Sequence, residues 1–136
     1  MRQIVIKAMS GLDAVSVENP ARPGTPDINY IEGWVELKVL EKWPTRAGTK
    51  IRVPCFTPQQ RVWLERRWKR GGASYLLILI GKDWLLYDGD VAGMHVGRNF
   101  NKTQMIENSR MFSEGVFRKT ELYRILRNGR TNTQNN

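Results

Sequence analysis

The run Tyr75-Leu76-Leu77-Ile78-Leu79-Ile80 constrains the fold more than any other segment of this chain. It is apolar at every position and too short to cross a bilayer, which is typical of a central strand whose two faces are covered by helices. A helix signal precedes it, with Thr57 as an N-cap, Pro58 at the first helical position and Gln60 three residues after the cap. Gly71-Gly72 is expected to end that helix near Arg70.

The order of the predicted elements indicates how the strands connect. We expect a strand at Lys50–Val53 before this helix and another at Trp84–Asp88 after the apolar run. A strand, a helix and a second strand in this order imply a crossover connection. The sequence therefore predicts an α/β fold with a mixed central β-sheet flanked by helices, built as a compact unit from residues 1–90.

Residues 91–136 are predicted to form a basic, partly helical C-terminal extension. Two helical segments are expected there, around Lys102–Met111 and Ser113–Leu126. His95 lies between two glycines and is expected to be a loop histidine without a metal-binding partner.

Composition narrows the class of function. The chain has 136 residues, with 22 Lys and Arg against 13 Asp and Glu, so its formal net charge is +9. This excess favours a polyanionic partner, of which nucleic acid is the commonest, although a basic surface without a particular ligand is the alternative. With Cys55 and His95 as the single cysteine and histidine, a disulfide, a thiolate metal cluster and a zinc site are not expected. No secretory signal or membrane-spanning run is present, so we expect a cytoplasmic protein with no membrane partner and no small-molecule cofactor.

The stretch Gly24–Lys38, with the sequence GTPDINYIEGWVELK, predicts a β-hairpin. Its two strands would be joined by Glu32-Gly33 as the turn residues, which makes Asp27 face Lys38. The period of two along a strand then places Asp27, Glu36 and Lys38 on one face of the sheet and apolar side chains on the other. The apolar set is Ile28, Tyr30, Val35, Leu37 and Val39.

This arrangement has a chemical interpretation and a structural one. In the predicted register Asp27 and Glu36 are diagonal neighbours about 7–8 Å apart, close enough for two carboxylates to bind one cation. Carboxylates without His or Cys favour Mg²⁺ or Mn²⁺, and Lys38 could hold or deprotonate a water for phosphodiester hydrolysis. The alternative is that Asp27 caps the start of a strand and that Glu36 and Lys38 form a solvated stripe.

The same residues resemble a known family. Pro26-Asp27 followed by Glu36-Leu37-Lys38 resembles the PD-(D/E)XK nuclease superfamily. Thr57-Pro58-Gln59-Gln60, the helix, Gly71-Gly72 and the apolar strand are similar to its virus-type replication-repair nuclease branch (VRR-NUC), close to Holliday-junction resolvases. Phage proteins of this kind carry similar GTPD, WVELK and FTPQQ segments. The resemblance covers roughly residues 14–89 and implies a restriction-endonuclease-like core.

The resemblance also implies roles for individual residues. Asp27, Glu36 and the backbone carbonyl of Leu37 would bind Mg²⁺, with Mn²⁺ as a substitute, and Lys38 would position the attacking water. Gln60 would lie beside the site, although a Gln at this position also completes a capping box. Related nucleases often carry a further Glu on a helix before the Pro-Asp strand, whereas residues 1–12 contain no acid. Glu18 is the candidate substitute.

Two functions remain open after this comparison. The first is a Mg²⁺-dependent deoxyribonuclease, an endonuclease acting as a homodimer on branched or structured DNA during phage replication, recombination or genome processing in the host cytoplasm. The second is a non-cleaving DNA-binding or assembly factor that keeps the nuclease fold, which the missing upstream Glu favours. The residues expected to grip DNA in either case are Arg22, Lys42, Arg46, Lys50, Arg52 and Arg61.

Overall fold

The computed structural model describes residues 1–18 and 23–130, and within them it forms a mixed α/β fold. The five helices of this part of the chain are α1 (Arg2–Ala8), α2 (Pro58–Lys69), α3 (Gly89–His95), α4 (Lys102–Glu107) and α5 (Lys119–Asn128). Its six strands are β1 (Val15–Ser16), β2 (Ile28–Asn29), β3 (Gly33–Leu40), β4 (Ala73–Ile80), β5 (Asp83–Asp88) and β6 (Met111–Ser113).

The strands form one sheet in the order β1-β2-β3-β4-β5-β6. Only β3 and β4 run parallel, with Glu36 level with Leu76 and Lys38 level with Ile78, and every other neighbouring pair is antiparallel. The parallel pair needs a crossover, and α2 supplies it. The mixed central sheet predicted from the sequence is therefore confirmed.

Each face of the sheet is covered by helices and has its own hydrophobic core. One core joins α1 and α5 to the sheet through buried side chains that include Val5, Met9, Tyr75, Leu122 and Leu126. The other core joins α2, α3 and α4 to the opposite face through side chains that include Leu64, Leu76, Ala92, Val96 and Met105. Adjacent residues of β4 point into different cores, which explains why the segment from Tyr75 to Ile80 is apolar throughout.

The helix signal at Thr57 is confirmed in detail. The backbone N–H of Gln60 donates to Thr57 Oγ1 at 3.2 Å, and the Thr57 N–H donates to Gln60 Oε1 at 2.9 Å. These two bonds form the predicted capping box and satisfy two backbone donors at the start of α2.

Several element predictions were wrong. Lys50–Val53 is not a strand, although Ile51 and Val53 are buried in the α2-side core. Met111–Ser113, which we expected at the end of one helix and the start of the next, is strand β6 at the edge of the sheet. His95, which was expected to lie in a loop, is the last residue of helix α3. The glycines around it do not indicate a helix in the sequence.

The predicted boundary after residue 90 falls within α3, between its second and third residues. Residues after it contribute to both cores: Leu122 and Leu126 pack on the α1 side, and Val96 and Met105 on the α2 side. Strand β6 also pairs with β5. Within the described residues, none of the helices has the length and apolar character needed to span a membrane.

Candidate functional site

The β2–β3 hairpin brings the predicted acidic residues together in a register different from the expected one. Asn29 lies opposite Trp34, and Ile28 lies opposite Val35. Tyr30 and Gly33 exchange backbone hydrogen bonds of 2.9 and 3.2 Å, so the turn residues are Ile31 and Glu32 and the predicted turn was wrong. The expected pairing is off by two residues, and an even shift leaves each side chain on its predicted face.

Gly33 has a reason other than the turn for being a glycine. A Cβ atom at Gly33 would lie 2.3 Å from the carbonyl oxygen of Ala73 on β4. The absence of a side chain allows β3 to approach the start of β4. A tight turn and a close approach of two backbones both favour glycine, so Gly33 was mistaken for a turn residue.

The division of the hairpin into two faces is confirmed. Ile28, Tyr30 and Val35 are buried in the α1-side core, and Leu37 packs against it. Val39 is the exception, since its side chain is 52% exposed near the end of β3. Glu36 is level with Leu76 on the opposite face, the face that α2 covers.

Asp27 is fixed to the edge of β3 beside Glu36. Its Oδ2 accepts a 2.9 Å hydrogen bond from the backbone N–H of Leu37. The N–H and C=O of a strand residue point to the same edge, so the Leu37 carbonyl also lies on the Asp27 side of β3. The two carboxylates and this carbonyl, which the family resemblance named as ligands, are therefore neighbours.

Glu36 is a buried carboxylate with an unusual set of contacts. It is 2% exposed, and its Oε2 lies 3.2 Å from Lys38 Nζ. Among the described residues Oε1 has no hydrogen-bond partner although it is buried. Burial, followed by the neighbouring Asp27 carboxylate, raises the pKa of Glu36 to about 8, against the opposing effect of the Lys38 ammonium.

These contacts fit a divalent cation. A buried carboxylate oxygen without a partner is costly, and a cation beside it would supply the missing interaction and favour the charged form. Oxygen donors are the ligands that Mg²⁺ and Mn²⁺ prefer. No group of three or more Asp, Glu, His or Cys side chains with the spacing of a metal site occurs in the part of the chain described, so the protein side chains here offer two carboxylates.

Arg2 is the site residue that the sequence did not predict. From the first turn of α1, its guanidinium donates to Asp27 Oδ1 at 2.9 Å and to Ser16 Oγ at 3.0 Å. It also lies 3.9 Å from Glu18, whose side chain is 87% exposed. The N-terminal helix thus contributes a cation in place of the acid that the resemblance implies there, and Glu18 lies beside this cation.

The two motifs that carry the resemblance meet in the structure. Gly24, which begins the GTPD segment with φ of 91°, is so close to α2 that a Cβ atom would lie 2.6 Å from the carbonyl oxygen of Gln59 and 3.0 Å from the N of Gln60. The segment leading to Asp27 therefore packs against the first turn of α2. Gln60 lies at this junction with its side chain engaged in the capping box.

The residues predicted to contact DNA lie in different places. Lys42, Arg46, Lys50 and Arg52 are exposed in the connection after β3, and Arg22 lies outside the described residues.

Arg61 is buried instead, 7% exposed, with its guanidinium 4.3 Å from the centre of the Phe56 ring and hydrogen-bonded to the carbonyl of Val96. It occupies the inward stripe of α2 with Leu64 and Trp68, so its charge is not on the surface.

Comparison with known proteins adds no further constraint to this geometry. No protein-family model matches the chain, and no curated protein matches it.

Proposed function

We propose that this protein is a metal-dependent endonuclease that hydrolyses phosphodiester bonds in DNA, on a restriction-endonuclease-like core of the VRR-NUC type. The observation that carries the proposal is the buried Glu36 carboxylate beside Asp27, with one oxygen that has no partner among the described residues and the other 3.2 Å from Lys38. A solvated stripe, the structural alternative, would not bury a carboxylate at this cost.

The roles proposed for the residues follow their contacts. Asp27, Glu36 and the Leu37 carbonyl would hold Mg²⁺, which when bound polarises a phosphoryl oxygen and activates water. Lys38 can hold the attacking water and offset negative charge in the transition state. The water oxygen forms the new bond to phosphorus, and the bond from phosphorus to O3′ breaks. The O3′ atom takes up a proton, so the products carry a 5′-phosphate and a 3′-hydroxyl. Gln60 would act beside this site, since its backbone lies next to Gly24 in the segment that leads to Asp27.

The biological setting is supported by the resemblance and by the charge. The net charge of +9 suits a DNA partner. The resemblance to phage resolvase-like nucleases supports branched or structured DNA as substrate, a homodimer, and a role in replication, recombination or genome processing in the host cytoplasm.

A second candidate is a non-cleaving DNA-binding or assembly factor with the same fold. It is favoured by Arg2, which forms an ion pair with Asp27 and lies 3.9 Å from Glu18, the candidate substitute ligand. In such a factor the Arg2 guanidinium would take the place of a metal ion beside Asp27.

A cleavage assay separates the two candidates. Wild-type protein is incubated with junction, flap, duplex and single-stranded DNA in Mg²⁺, in Mn²⁺ and in EDTA. We expect Mg²⁺-dependent products with 5′-phosphates, and a loss of at least about a hundredfold in rate for Lys38→Gln with DNA affinity retained. Tight binding without cleavage of any substrate in either metal would favour the binding factor.

A further inference from the structure

The outer face of α2 is strongly basic and lies beside the candidate site. Arg66, Arg67, Lys69 and Arg70 are exposed there, and Glu65 is the one acid of the helix. Glu65 is already engaged by Lys69 at 2.6 Å. The three arginines therefore present charge that no acid of the helix neutralises.

An aromatic bridge connects these arginines to the site. Trp34 lies two residues before Glu36 on the same face of β3, and its ring packs edge-on against Trp63 of α2 with centroids 5.2 Å apart. The Arg67 guanidinium lies 4.4 Å from the Trp63 ring centre and 5.9 Å from that of Trp34. Trp34, on the same face of β3 as Glu36, is thus joined through Trp63 to Arg67 of the basic helix.

Arg67 is held in place for binding an anion. Its guanidinium is over an indole face, and its aliphatic stem is packed against Gly72, where a Cβ atom would come within 2.7 Å of Arg67 Cδ. Within the described residues no hydrogen bond or ion pair occupies its N–H groups. A stacked guanidinium keeps its edge available for bidentate bonds to phosphate, and its prior ordering lowers the entropic cost of binding.

Surface depressions follow the same path. Arg66 lines three of them: one with Pro23 and Pro58 at the start of α2, one with Val62 and Glu65, and one with Arg67 and Gly72 at its end. The first lies next to Gly24, which packs on α2 and leads to Asp27.

We propose that Arg66, Arg67 and Arg70 form a track that binds the phosphodiester backbone of the nucleic-acid strand entering the site at Asp27, Glu36 and Lys38. This proposal rests on the proposed function and specifies where its substrate lies. A second copy of the chain is a poorer occupant of this surface, because a symmetric contact would bring the exposed arginines of two α2 helices against one another. A phosphate backbone supplies complementary charge at regular spacing.

The test compares two triple variants with the same change of charge. Arg66→Gln/Arg67→Gln/Arg70→Gln removes the track, and Lys119→Gln/Arg124→Gln/Arg127→Gln removes three exposed cations from α5 on the other side of the sheet. Binding to fluorescein-labelled duplex and single-stranded DNA is measured in EDTA across a salt series, and the far-ultraviolet circular dichroism of each variant establishes that it is folded.

We expect the α2 variant to bind duplex DNA about 10- to 100-fold more weakly, with the slope of log K against log salt reduced by about 2 to 3, since each phosphate contact contributes about 0.9. The α5 variant should stay within about threefold of wild type. Equal weakening by the two variants would overturn the track, because it would show that net charge alone drives binding. Wild-type affinity of the folded α2 variant would also overturn it.

A pair of conservative variants tests the stacked arginine separately. Arg67→Lys keeps the charge but loses the stacked fork, whereas Arg66→Lys changes an arginine that makes no ring contact in the described residues. We expect Arg67→Lys to bind about threefold or more weakly than Arg66→Lys. Equal affinities would contradict a specific role for the stacked arginine.

Asp27→Asn distinguishes failure of the track from failure of the proposed function. If Asp27→Asn loses cleavage and the α2 variant still binds normally, the track is wrong and the nuclease proposal stands. If Asp27→Asn cleaves like wild type while the α2 variant loses binding, the nuclease site is wrong and the track stands as a binding surface.

Discussion

At the scale of single residues, Glu36 carries most of the argument for the proposed site. A carboxylate that is 2% exposed and lies beside a second carboxylate is unfavourable in its charged form. Lys38 relieves only part of this cost, since the pKa of Glu36 remains raised to about 8. Such an arrangement lowers the stability of the folded protein and would become favourable if a cation bound beside the two carboxylates.

The pH dependence of stability should report this cost. Because the folded-state pKa of Glu36 lies above its ordinary value of 4.5, the folded protein holds the proton more tightly than the unfolded chain. The resulting stabilisation is complete below about pH 4.5 and is lost as the pH rises through about 8. Glu36→Gln should therefore gain unfolding free energy over wild type across this range, on the order of a few kcal/mol.

The measurement is thermal or urea unfolding in EDTA between pH 4 and pH 9. Glu41→Gln, at an exposed position, is the matched control and should run parallel to wild type. Parallel curves for Glu36→Gln and wild type would contradict a buried, proton-binding Glu36.

Arg2 should compete with the cation for Asp27. Its guanidinium is 2.9 Å from Asp27 Oδ1 and partly exposed, so solvent screens the pair and the effect is modest. We expect Arg2→Ala to bind Mn²⁺ about 2- to 10-fold more tightly than wild type by titration calorimetry at pH 8. Arg2→Lys, which keeps the charge, is the control, and weaker Mn²⁺ binding by Arg2→Ala would show that Arg2 supports the site.

Some of these residues were predictable and others were not. Asp27, Glu36 and Lys38 share a face because side chains alternate along strands, and that rule survives an even error in register. Arg2 lies 25 residues from Asp27 along the chain, and no local pattern links a helix residue to a residue just before a strand at that distance. Arg61 was expected to contact DNA because of its charge, whereas its guanidinium lies against the Phe56 ring and donates to the Val96 carbonyl.

At the scale of elements, α2 was predictable because its own sequence specifies it. Thr57, Pro58 and Gln60 form a cap that depends only on neighbouring residues, and β4 is specified by its apolar run. Strand β6 has three residues and depends on pairing with β5, so its sequence alone does not define it. The turn at Ile31-Glu32 was missed because Gly33 was interpreted as a turn residue. In the structure Gly33 lies after the turn, and its lack of a side chain allows β3 to pack against β4.

Gln60 has two proposed roles, one in the capping box and one in the candidate site. A comparison with Thr57, its partner in the capping box, distinguishes them. Gln60→Ala and Thr57→Ala each remove one half of the capping box, so each should cost about 1 kcal/mol in the free energy of unfolding. If Gln60 also acts in the site, Gln60→Ala should lower the single-turnover cleavage rate about tenfold further than Thr57→Ala. Equal rates for the two variants would limit Gln60 to its structural role.

At the scale of the whole molecule, the sequence predicted the α/β class but left open what the C-terminal part packs against. Periodicity identifies an apolar stripe on α5 without saying what covers it. The structure packs this stripe onto the α1 side of the sheet, where the hydroxyl of Tyr30 donates to the carbonyl of Leu126 at 3.2 Å. The hairpin that carries Asp27 is thus supported by the last helix.

A chain that ends after residue 90 should therefore not fold. Truncation would expose the surfaces that α3, α4, α5 and β6 cover in both cores. We expect the fragment to lack a cooperative thermal transition by circular dichroism and to bind DNA without cleaving it. A cooperative transition for residues 1–90 would show that they form an independent unit.

Asp27 and its neighbours are proposed to form a hydrolytic centre, and the single-turnover cleavage rate in Mg²⁺ is the measurement that tests this claim. The comparison uses a DNA substrate that wild type cleaves, with Asp27→Asn and with Asp13→Asn, the same chemical change at an exposed position. Asp27→Asn should bind the substrate with wild-type affinity and cleave it at least about a thousandfold more slowly, while Asp13→Asn cleaves normally. Cleavage by Asp27→Asn within a few-fold of wild type would contradict the claim.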